Sequence, residues 1–239
     1  MKYIFFDLDG TLLPLDNQKF LKAYYQEVQQ KFSQTKFNPK LIIAGINEGL
    51  AKMFKNDDDV TNDRIFWDGF YQASGYLEQE VHDIFIDFYN HEFLKIKNLL
   101  KDEGYSKKIV AELKAKGYQL VLATNPLFPK VAQLNRMALV GLKESDFIFI
   151  TDYENSTKLK PNHHYFKEIM DKLSINAEDV LMVGNDVNED LVAASKAAIN
   201  AVLIDDFMIN AHDLDYSKYD CYSLASFYQY VQTLPSIKK

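Results

Sequence analysis

Five short apolar segments set the strongest limit on how this chain can fold. Each segment is apolar at consecutive positions instead of alternate ones, and they cover residues 3–7, 118–124, 147–151, 179–184 and 200–205. Strands with this pattern are buried on both faces, like the central strands of a parallel sheet. The first segment opens the chain, and the other four follow only after a long gap. The sequence therefore predicts a parallel sheet whose first strand lies far from the others along the chain.

Helical patterns separate the later strand segments. Apolar residues recur at intervals of three and four positions in residues 105–116, 129–140, 162–173 and 188–198. Alternating strands and helices predict an α/β fold, a doubly wound parallel sheet with right-handed crossovers and a Rossmann-like core. A short strand near Asp220 and a helix from Ser223 to about Leu234 would complete it.

The long gap after the first strand has a different character. Residues 16–100 hold four helical patterns, punctuated by Gly, Asn, Pro or Asp, with no strand-like run between them. We therefore predict a core domain formed by residues 1–15 and 101–239, and an inserted α-helical domain formed by residues 16–100. The predicted hinges lie near residues 13–17 and 95–103. We call residues 16–100 the helical insert.

Composition narrows the class of protein. Apolar residues make up 47% of the chain and charged residues 26%, which is typical of a globular protein. The net charge of −7 argues against a stable nucleic-acid partner, and no apolar run is long enough for a membrane span or a signal peptide. Cys221 is the only cysteine, so no internal disulfide can form. These features predict a cytoplasmic protein.

Polar residues follow four of the predicted strands. Ligands of an open parallel sheet bind outside the carboxyl ends of its strands, so these residues are expected to share one rim. They are Asp7 and Asp9 after the first strand, Thr124 and Asn125 after the second, 158–161 after the third, and 184–190 after the fourth. Each stretch alone is also typical of a turn or a helix start. Their arrival in order at four strand ends predicts an active site.

The acids at this rim point to a metal ion and to nucleophilic chemistry. Asp7, Asp9, Asp186 and Asp190 would repel one another, and a hard divalent cation would relieve that repulsion. Ligation by oxygen alone, with no His or Cys nearby, favours Mg²⁺. Asp7 and Asp9 are two residues apart at a strand end, so both can face one reacting group. An ionised carboxylate can act as a nucleophile while a second carboxyl group transfers protons.

Four sequence motifs together resemble the haloacid dehalogenase (HAD) superfamily. They read DLDGTLL, ATN, KLKP and GNDVNED in this chain, and the helical insert follows the first, as in members with a C1-type helical cap. The resemblance covers nearly the whole chain, but it says little about the substrate. It implies an enzyme, a Mg²⁺-dependent phosphomonoester hydrolase that acts on a small phosphorylated metabolite through an aspartyl-phosphate intermediate.

The resemblance also implies roles for the first motif and for the lysine. Asp7 would be the nucleophile and would bind the metal through its side chain. Asp9 would be the general acid and base, and would bind the metal through its backbone carbonyl. The family pattern places the catalytic, phosphate-binding lysine directly before a proline. We therefore prefer Lys160, which precedes Pro161, over Lys158.

The second and fourth motifs supply the remaining ligands. The hydroxyl of Thr124 and the backbone N–H of Asn125 are expected to bind the substrate phosphate. In the fourth motif, many relatives have an acid where this chain has Asn185. Either Asn185 binds the metal through its amide oxygen or Asp186 takes that place. We favour Asp186 as the direct ligand, with Asp190 binding directly or through water.

Three alternative functions are compatible with much of the same pattern. A phosphomutase would share all of the motifs. A 2-haloacid dehalogenase would also use Asp7 but needs no metal, and such family members lack the second aspartate, so Asp9 argues against it. A non-catalytic binding protein is disfavoured because folding alone does not require the complete set.

The helical insert is expected to close over the site and to select the substrate. Residues 63–70 draw attention because they include Trp67. The helical spacing of Ile65, Phe66 and Phe70 instead favours the core of the insert itself.

Overall fold

The structure, a computed structural model, describes residues 1–237. The strands in these residues are β1 (Tyr3–Phe6), β2 (Gln119–Leu122), β3 (Phe149–Ile150), β4 (Val180–Gly184), β5 (Asn200–Ile204) and β6 (Cys221–Tyr222). They form one sheet in the order β3-β2-β1-β4-β5-β6, and every pairing is parallel. The predicted α/β fold is confirmed, and the strand that opens the chain lies in the middle of the sheet.

The alternating faces of β1 explain its continuous apolar sequence. Ile4 and Phe6 join an apolar cluster on one face of the sheet, and Phe5 joins a separate cluster on the other. All three side chains are shielded from solvent. The covering helices are α5 (Tyr105–Lys116), α6 (Lys130–Leu139) and α9 (Leu224–Thr233) on the first face and α7 (His164–Leu173) on the second. Both faces are therefore buried, as a doubly wound sheet requires.

The segment after β4 departs from the regular helix predicted over residues 188–198. It forms a π-helical turn (Val187–Val192) that continues into α8 (Ala193–Lys196). The N–H of Leu191 bonds to the carbonyl of Asp186, five residues earlier, at 3.4 Å. Such wide turns are rare and are frequent at functional sites. Here the turn carries the last four residues of the fourth motif.

The helical insert contains the four helices that the sequence predicts. They are α1 (Asn17–Ser33), α2 (Pro39–Met53), α3 (Asn62–Ser74) and α4 (Glu78–Asn90), followed by a 3₁₀ helix (Glu92–Leu99). The two linkers lie side by side, since the N–H of Lys101 donates to the carbonyl of Pro14 at 2.9 Å. The domain boundaries and the C1 class of the insert stay predictions. Among residues 1–237, no helix has both the length and the apolar character needed to cross a membrane.

Phe128, in the loop after β2, joins the insert to the sheet. Its ring lies 6.0 Å from that of Phe20 and 5.4 Å from that of Tyr24, both on α1, and 6.4 Å from that of Tyr89 on α4. The insert therefore packs against a loop at the carboxyl end of the sheet, which is where the predicted site residues lie.

Candidate active site

One cleft at the carboxyl ends of the strands gathers the predicted residues. It encloses about 970 Å³, including its open mouth. Its polar lining consists of Asp7, Asp9, Asn17, Gln18, Thr124, Asn125, Asn185, Asp186, Glu189 and Asp190. Phe20 and Leu21 from α1, and Leu127 and Phe128 from the loop after β2, supply an apolar wall. The motifs after β1, β2 and β4 thus line one space. Lys160, from the motif after β3, is buried against two residues of its wall, Asp7 and Asp190.

A tight turn after β1 presents Asp7 and Asp9 to the cleft. The N–H of Asp7 still belongs to the sheet, since it donates to the carbonyl of Val183 at 2.9 Å. Gly10 then adopts a φ of +84°, a left-handed conformation that favours glycine. A Cβ at Gly10 would lie 2.2 Å from the amide nitrogen of Asn185. Glycine is therefore needed here both for the turn and for the close approach of the fourth motif.

Lys160 is fully buried and joins two of the acids. Its Nζ donates to Oδ1 of Asp7 at 2.9 Å and to Oδ1 of Asp190 at 2.6 Å. Burial alone would lower the pKa of Lys160, but the two carboxylates outweigh it and hold the pKa well above its usual value. The lysine thus places a full positive charge beside Asp7.

Lys158 points to a different part of the molecule. Its Nζ donates to the backbone carbonyl of Asp58, in the loop between α2 and α3, at 2.7 Å. Of the two lysines in the third motif, the structure therefore brings Lys160 to the cleft and Lys158 to the insert.

Asn125 fixes the position of Lys160. Its Oδ1 accepts from the backbone N–H of Lys160 at 3.2 Å, and its Nδ2 donates to the carbonyl of Lys160 at 3.3 Å. The carbonyl of Thr124 in turn accepts from the hydroxyls of Thr151 at 2.7 Å and Tyr165 at 2.8 Å. The loop that carries the two predicted phosphate ligands is therefore held rigidly, which suits an electrostatic site.

Glu189 adds a contact that the sequence analysis did not single out. Its Oε2 accepts from Nδ2 of Asn125 at 2.9 Å. Burial raises the pKa of Glu189 to about 8. The sequence signal for Glu189 was its position inside the GNDVNED motif. The family pattern, however, marks Asp186 and Asp190 in that motif.

Arg136 is a second residue that the sequence analysis missed. It lies on α6, is fully buried, and its guanidinium donates to Oδ2 of Asp9 and to Oε1 of Gln133. The guanidinium also lies over the ring of Phe128, 4.6 Å from the centroid. Burial raises the pKa of Asp9, and Arg136 offsets part of that rise. The only sequence signal for Arg136 was that it and Gln133, three residues apart, fall on the predicted buried face of this helix.

The candidate metal ligands of the fourth motif differ in how many of their side-chain oxygens already accept hydrogen bonds. Both oxygens of Asp190 are engaged, since Oδ1 accepts from Lys160 and Oδ2 accepts from the N–H groups of Asn185 and Asp186, at 3.0 Å each. The side chain of Asn185 accepts from Thr11 at 3.2 Å and donates to the carbonyl of Phe207 at 2.7 Å. Both side chains therefore act as supports within the loop.

Asp186 and Asp7 keep more ligand capacity. Oδ1 of Asp186 caps the π-helical turn by accepting from the N–H groups of Asn188 and Glu189. Across the described residues 1–237, no group of three or more His, Cys, Asp or Glu side chains is arranged to hold a metal ion. The donors still fit a hard cation in kind, because Asp7 and Asp186 line the same cleft and offer oxygen only.

Comparisons with known proteins agree with this architecture. The family model described as haloacid dehalogenase-like hydrolase matches residues 4–204. A glyceraldehyde 3-phosphate phosphatase from Methanothermobacter thermautotrophicus is 27% identical over 126 residues, which is 53% of each chain. The alignment thus spans about half the length of that relative. A pyrophosphatase from Oceanobacillus iheyensis is 23% identical over 206 residues, 85% of this chain and 83% of the relative.

Solved structures share the fold. A protein from Bacillus subtilis named as a HAD hydrolase, whose crystal structure is described as bound to magnesium, matches with a TM-score of 0.58 and 18% identity. That match covers 96% of this chain and 98% of the other.

Proposed function

The chain belongs to the haloacid dehalogenase-like hydrolase family, and from that premise we propose that it is a Mg²⁺-dependent phosphomonoesterase acting on a small phosphorylated metabolite. One observation carries the proposal: the buried ammonium of Lys160 lies 2.9 Å from Oδ1 of Asp7 at the head of a polar cleft. A cation beside a carboxylate nucleophile is suited to an anionic substrate.

The reaction proceeds in two displacements. In the first, a carboxylate oxygen of Asp7 attacks phosphorus, the bond from phosphorus to the ester oxygen breaks, and Asp9 gives its proton to the departing alkoxide. In the second, Asp9 takes a proton from water as that water attacks the phosphorus of the aspartyl phosphate, and the bond from phosphorus to the carboxylate oxygen of Asp7 breaks. Inorganic phosphate leaves, and Asp7 and Asp9 return to their starting states.

The other residues of the cleft stabilise charge on the transferring group. Lys160, the hydroxyl of Thr124 and the backbone N–H of Asn125 would bind the phosphoryl oxygens. Asn125 also holds the backbone of Lys160, and Asp190 holds its ammonium from the opposite side at 2.6 Å. Asp190 is therefore a positioning residue in this proposal.

The metal would bind to the side chains of Asp7 and Asp186 and to the backbone carbonyl of Asp9. When bound, it supplies positive charge that offsets the negative charge of the phosphoryl group. The engaged side chains of Asn185 and Asp190 support the choice of Asp186 as the direct ligand from the fourth motif. The magnesium named for the B. subtilis protein of the same fold supports the choice of ion.

The nature of the leaving group favours a phosphatase over a dehalogenase. A halide leaves as a stable anion, whereas an alkoxide needs a proton at the moment of departure. Asp9 lies next to the nucleophile and is held by a buried arginine, an arrangement suited to protonating an alkoxide. The names of the two curated relatives, a phosphatase and a pyrophosphatase, point to the same class of chemistry.

Release of inorganic phosphate tests the proposal. The purified chain is incubated with p-nitrophenyl phosphate and with a panel of phosphorylated metabolites, in MgCl₂ and again in excess EDTA. We expect turnover that requires the metal and is restored when Mg²⁺ is added back. Absence of phosphate release from every ester in MgCl₂ would contradict the proposal, and so would equal rates with and without EDTA.

A further inference from the structure

A second cavity lies between the helical insert and the loop after β2. It encloses about 660 Å³, including its opening. Eight of its lining residues are aromatic, among them Tyr25, Phe66, Trp67 and Phe128. None of the described residues that line it is Asp, Glu, Lys or Arg. Its chemistry is thus the opposite of the polar cleft.

The cavity adjoins the cleft where the phosphoryl group would bind. Leu21, Leu127 and Phe128 line both spaces. A phosphoester held near Asp7 and Thr124 would place its leaving group close to these three side chains. The polar cleft and the aromatic cavity therefore share one wall.

One stretch of α3 contributes both to the core of the insert and to this cavity. The helical spacing within residues 63–70 predicts that they form the core of the insert, and Phe70 does so, because it is fully buried and its ring packs 5.2 Å from that of Trp67. Phe66, which is also buried, and Trp67 line the cavity. Their rings therefore offer an apolar surface to a group that enters it.

The few polar groups nearby do not suit a sugar. The hydroxyls of Tyr24 and Tyr89 lie 3.3 Å apart and share one hydrogen bond. The hydroxyl of Tyr25 donates to the side chain of Asn47 at 2.7 Å. His82 is exposed at the solvent side, with its Nδ1 3.3 Å from Oδ1 of Asp83. A polyol bound here would find few partners for its hydroxyl groups.

We infer that this cavity binds the leaving group of the substrate, and that the substrate is a phosphomonoester whose alcohol carries an aromatic or other bulky apolar group. The inference rests on the proposed function, because it takes the polar cleft to be the phosphate site. In this inference the helical insert selects esters through apolar contacts with the alcohol part of the substrate.

Trp67 allows a test that does not depend on turnover. It is the only tryptophan of the chain and lines the cavity, so its fluorescence reports what enters. The protein in MgCl₂ is titrated with benzylphosphonate and, separately, with methylphosphonate, neither of which can be hydrolysed. We expect benzylphosphonate to change the Trp67 emission and to bind at least about tenfold more tightly.

Kinetics supply the second measurement. Benzyl phosphate and methyl phosphate have leaving groups of similar basicity, so the ratio of their kcat/KM values reports binding of the ring. We expect a ratio of at least about ten for the natural chain. Leu50→Phe, which places a larger side chain on the cavity wall, should lower that ratio. Tyr71→Ala, a change to an exposed aromatic residue of α3 outside the cavity, should leave it unchanged.

The outcomes separate the two proposals. Equal affinity for the two phosphonates, with unchanged Trp67 emission, overturns the assignment of the cavity even if both esters are hydrolysed. Tight binding of benzylphosphonate with a change in Trp67 emission supports it. If neither ester is hydrolysed while that binding is seen, the cavity assignment stands and the proposed hydrolysis fails.

Discussion

The guanidinium of Arg136 donates a hydrogen bond to one carboxylate oxygen of Asp9 and leaves the other oxygen, Oδ1, buried without a partner among the described residues. The two residues are 127 positions apart in the sequence. Arg136 is itself packed against the ring of Phe128 and bonded to Gln133. The arginine thus fixes the orientation of Asp9, whose side chain lines the cleft.

Replacing Arg136 should therefore impair proton transfer more than phosphate binding. In Arg136→Met, we expect kcat to fall by about a hundredfold for an alkyl phosphate, within the usual range for general acid catalysis. The fall should be smaller for p-nitrophenyl phosphate, whose leaving group departs without a proton. KM should change little for either ester.

Two further variants guard against a merely structural effect. Arg136→Lys should restore part of the lost activity, since it keeps a positive charge behind Asp9. Arg64→Met, at an exposed arginine of α3, should match the natural chain for both esters. An equal loss of kcat for both esters in Arg136→Met would contradict the positioning role.

The two lysines of the third motif form a matched pair. Lys160→Met should lower kcat by roughly a hundredfold to a thousandfold, the effect of removing one preorganised group that stabilises the transition state. It should also lower the melting temperature, because Asp7 and Asp190 lose their shared buried partner. Lys158→Met should keep kcat near that of the natural chain, because Lys158 contacts Asp58 outside the cleft. Steady-state kinetics on both variants check this, and a larger loss for Lys158→Met would reverse the assignment.

Gly184 gives the fourth motif room to reach the cleft. A Cβ at this position would lie 2.2 Å from Oδ2 of Asp190. We expect Gly184→Ala to displace Asp190, to lower kcat at least about tenfold, and to cost about 1–3 kcal/mol of stability through overpacking. Gly69→Ala is the control, since its Cβ would meet the backbone oxygen of Glu48 at 2.9 Å, far from the cleft. It should lower stability while the folded protein keeps its kcat.

The pH dependence of stability should change in Glu154→Gln. Burial and the neighbouring Asp152 carboxylate raise the pKa of Glu154 to about 8, from an ordinary value of 4.5. The native state therefore holds this proton more tightly than the unfolded state does. The resulting stability is present below pH 4.5 and is lost as pH rises through 8.

Glutamine stays neutral and keeps an oxygen for the N–H of Lys130, which donates to Glu154 at 3.0 Å. The melting temperature of Glu154→Gln should thus exceed that of the natural chain at pH 9, and the two should nearly coincide at pH 5. Because the side chain keeps contact with solvent, the difference should stay near or below about 1 kcal/mol. A difference that shrinks as pH rises would contradict the sign of the pKa shift.

Many residues of the cleft could be predicted from the sequence because they directly follow strands. Asp7, Thr124 and Asp186 each follow an apolar run, and parallel strands deliver the residues after them to one edge. The bounds of the helices followed from local signals as well, such as Ser223, whose hydroxyl caps α9 by accepting from the N–H of Ser226 at 3.1 Å. These features depend on the order of residues along a short stretch, which a sequence displays directly.

Other features depend on contacts that no short stretch contains. Arg136 lies on a helix whose pattern does not distinguish a buried arginine from an exposed one, and its partner Asp9 belongs to another part of the chain. The π-helical turn before α8 carries Asp190, whose partner Lys160 lies 30 positions away. The aromatic cavity is formed where α1, α2, α3 and α4 meet the loop of Phe128. Tertiary packing determines all three.

The chemical fate of Asp7 during turnover tests the proposed mechanism most directly. The natural chain in MgCl₂ is mixed with p-nitrophenyl phosphate, quenched in acid within one turnover, and digested for mass spectrometry. We expect the peptide that contains Asp7 to gain one phosphoryl group, and we expect Asp7→Asn to gain none and to release no phosphate. Full activity in Asp7→Asn, or a phosphoryl group on any other residue, would contradict the assignment of Asp7 as the nucleophile.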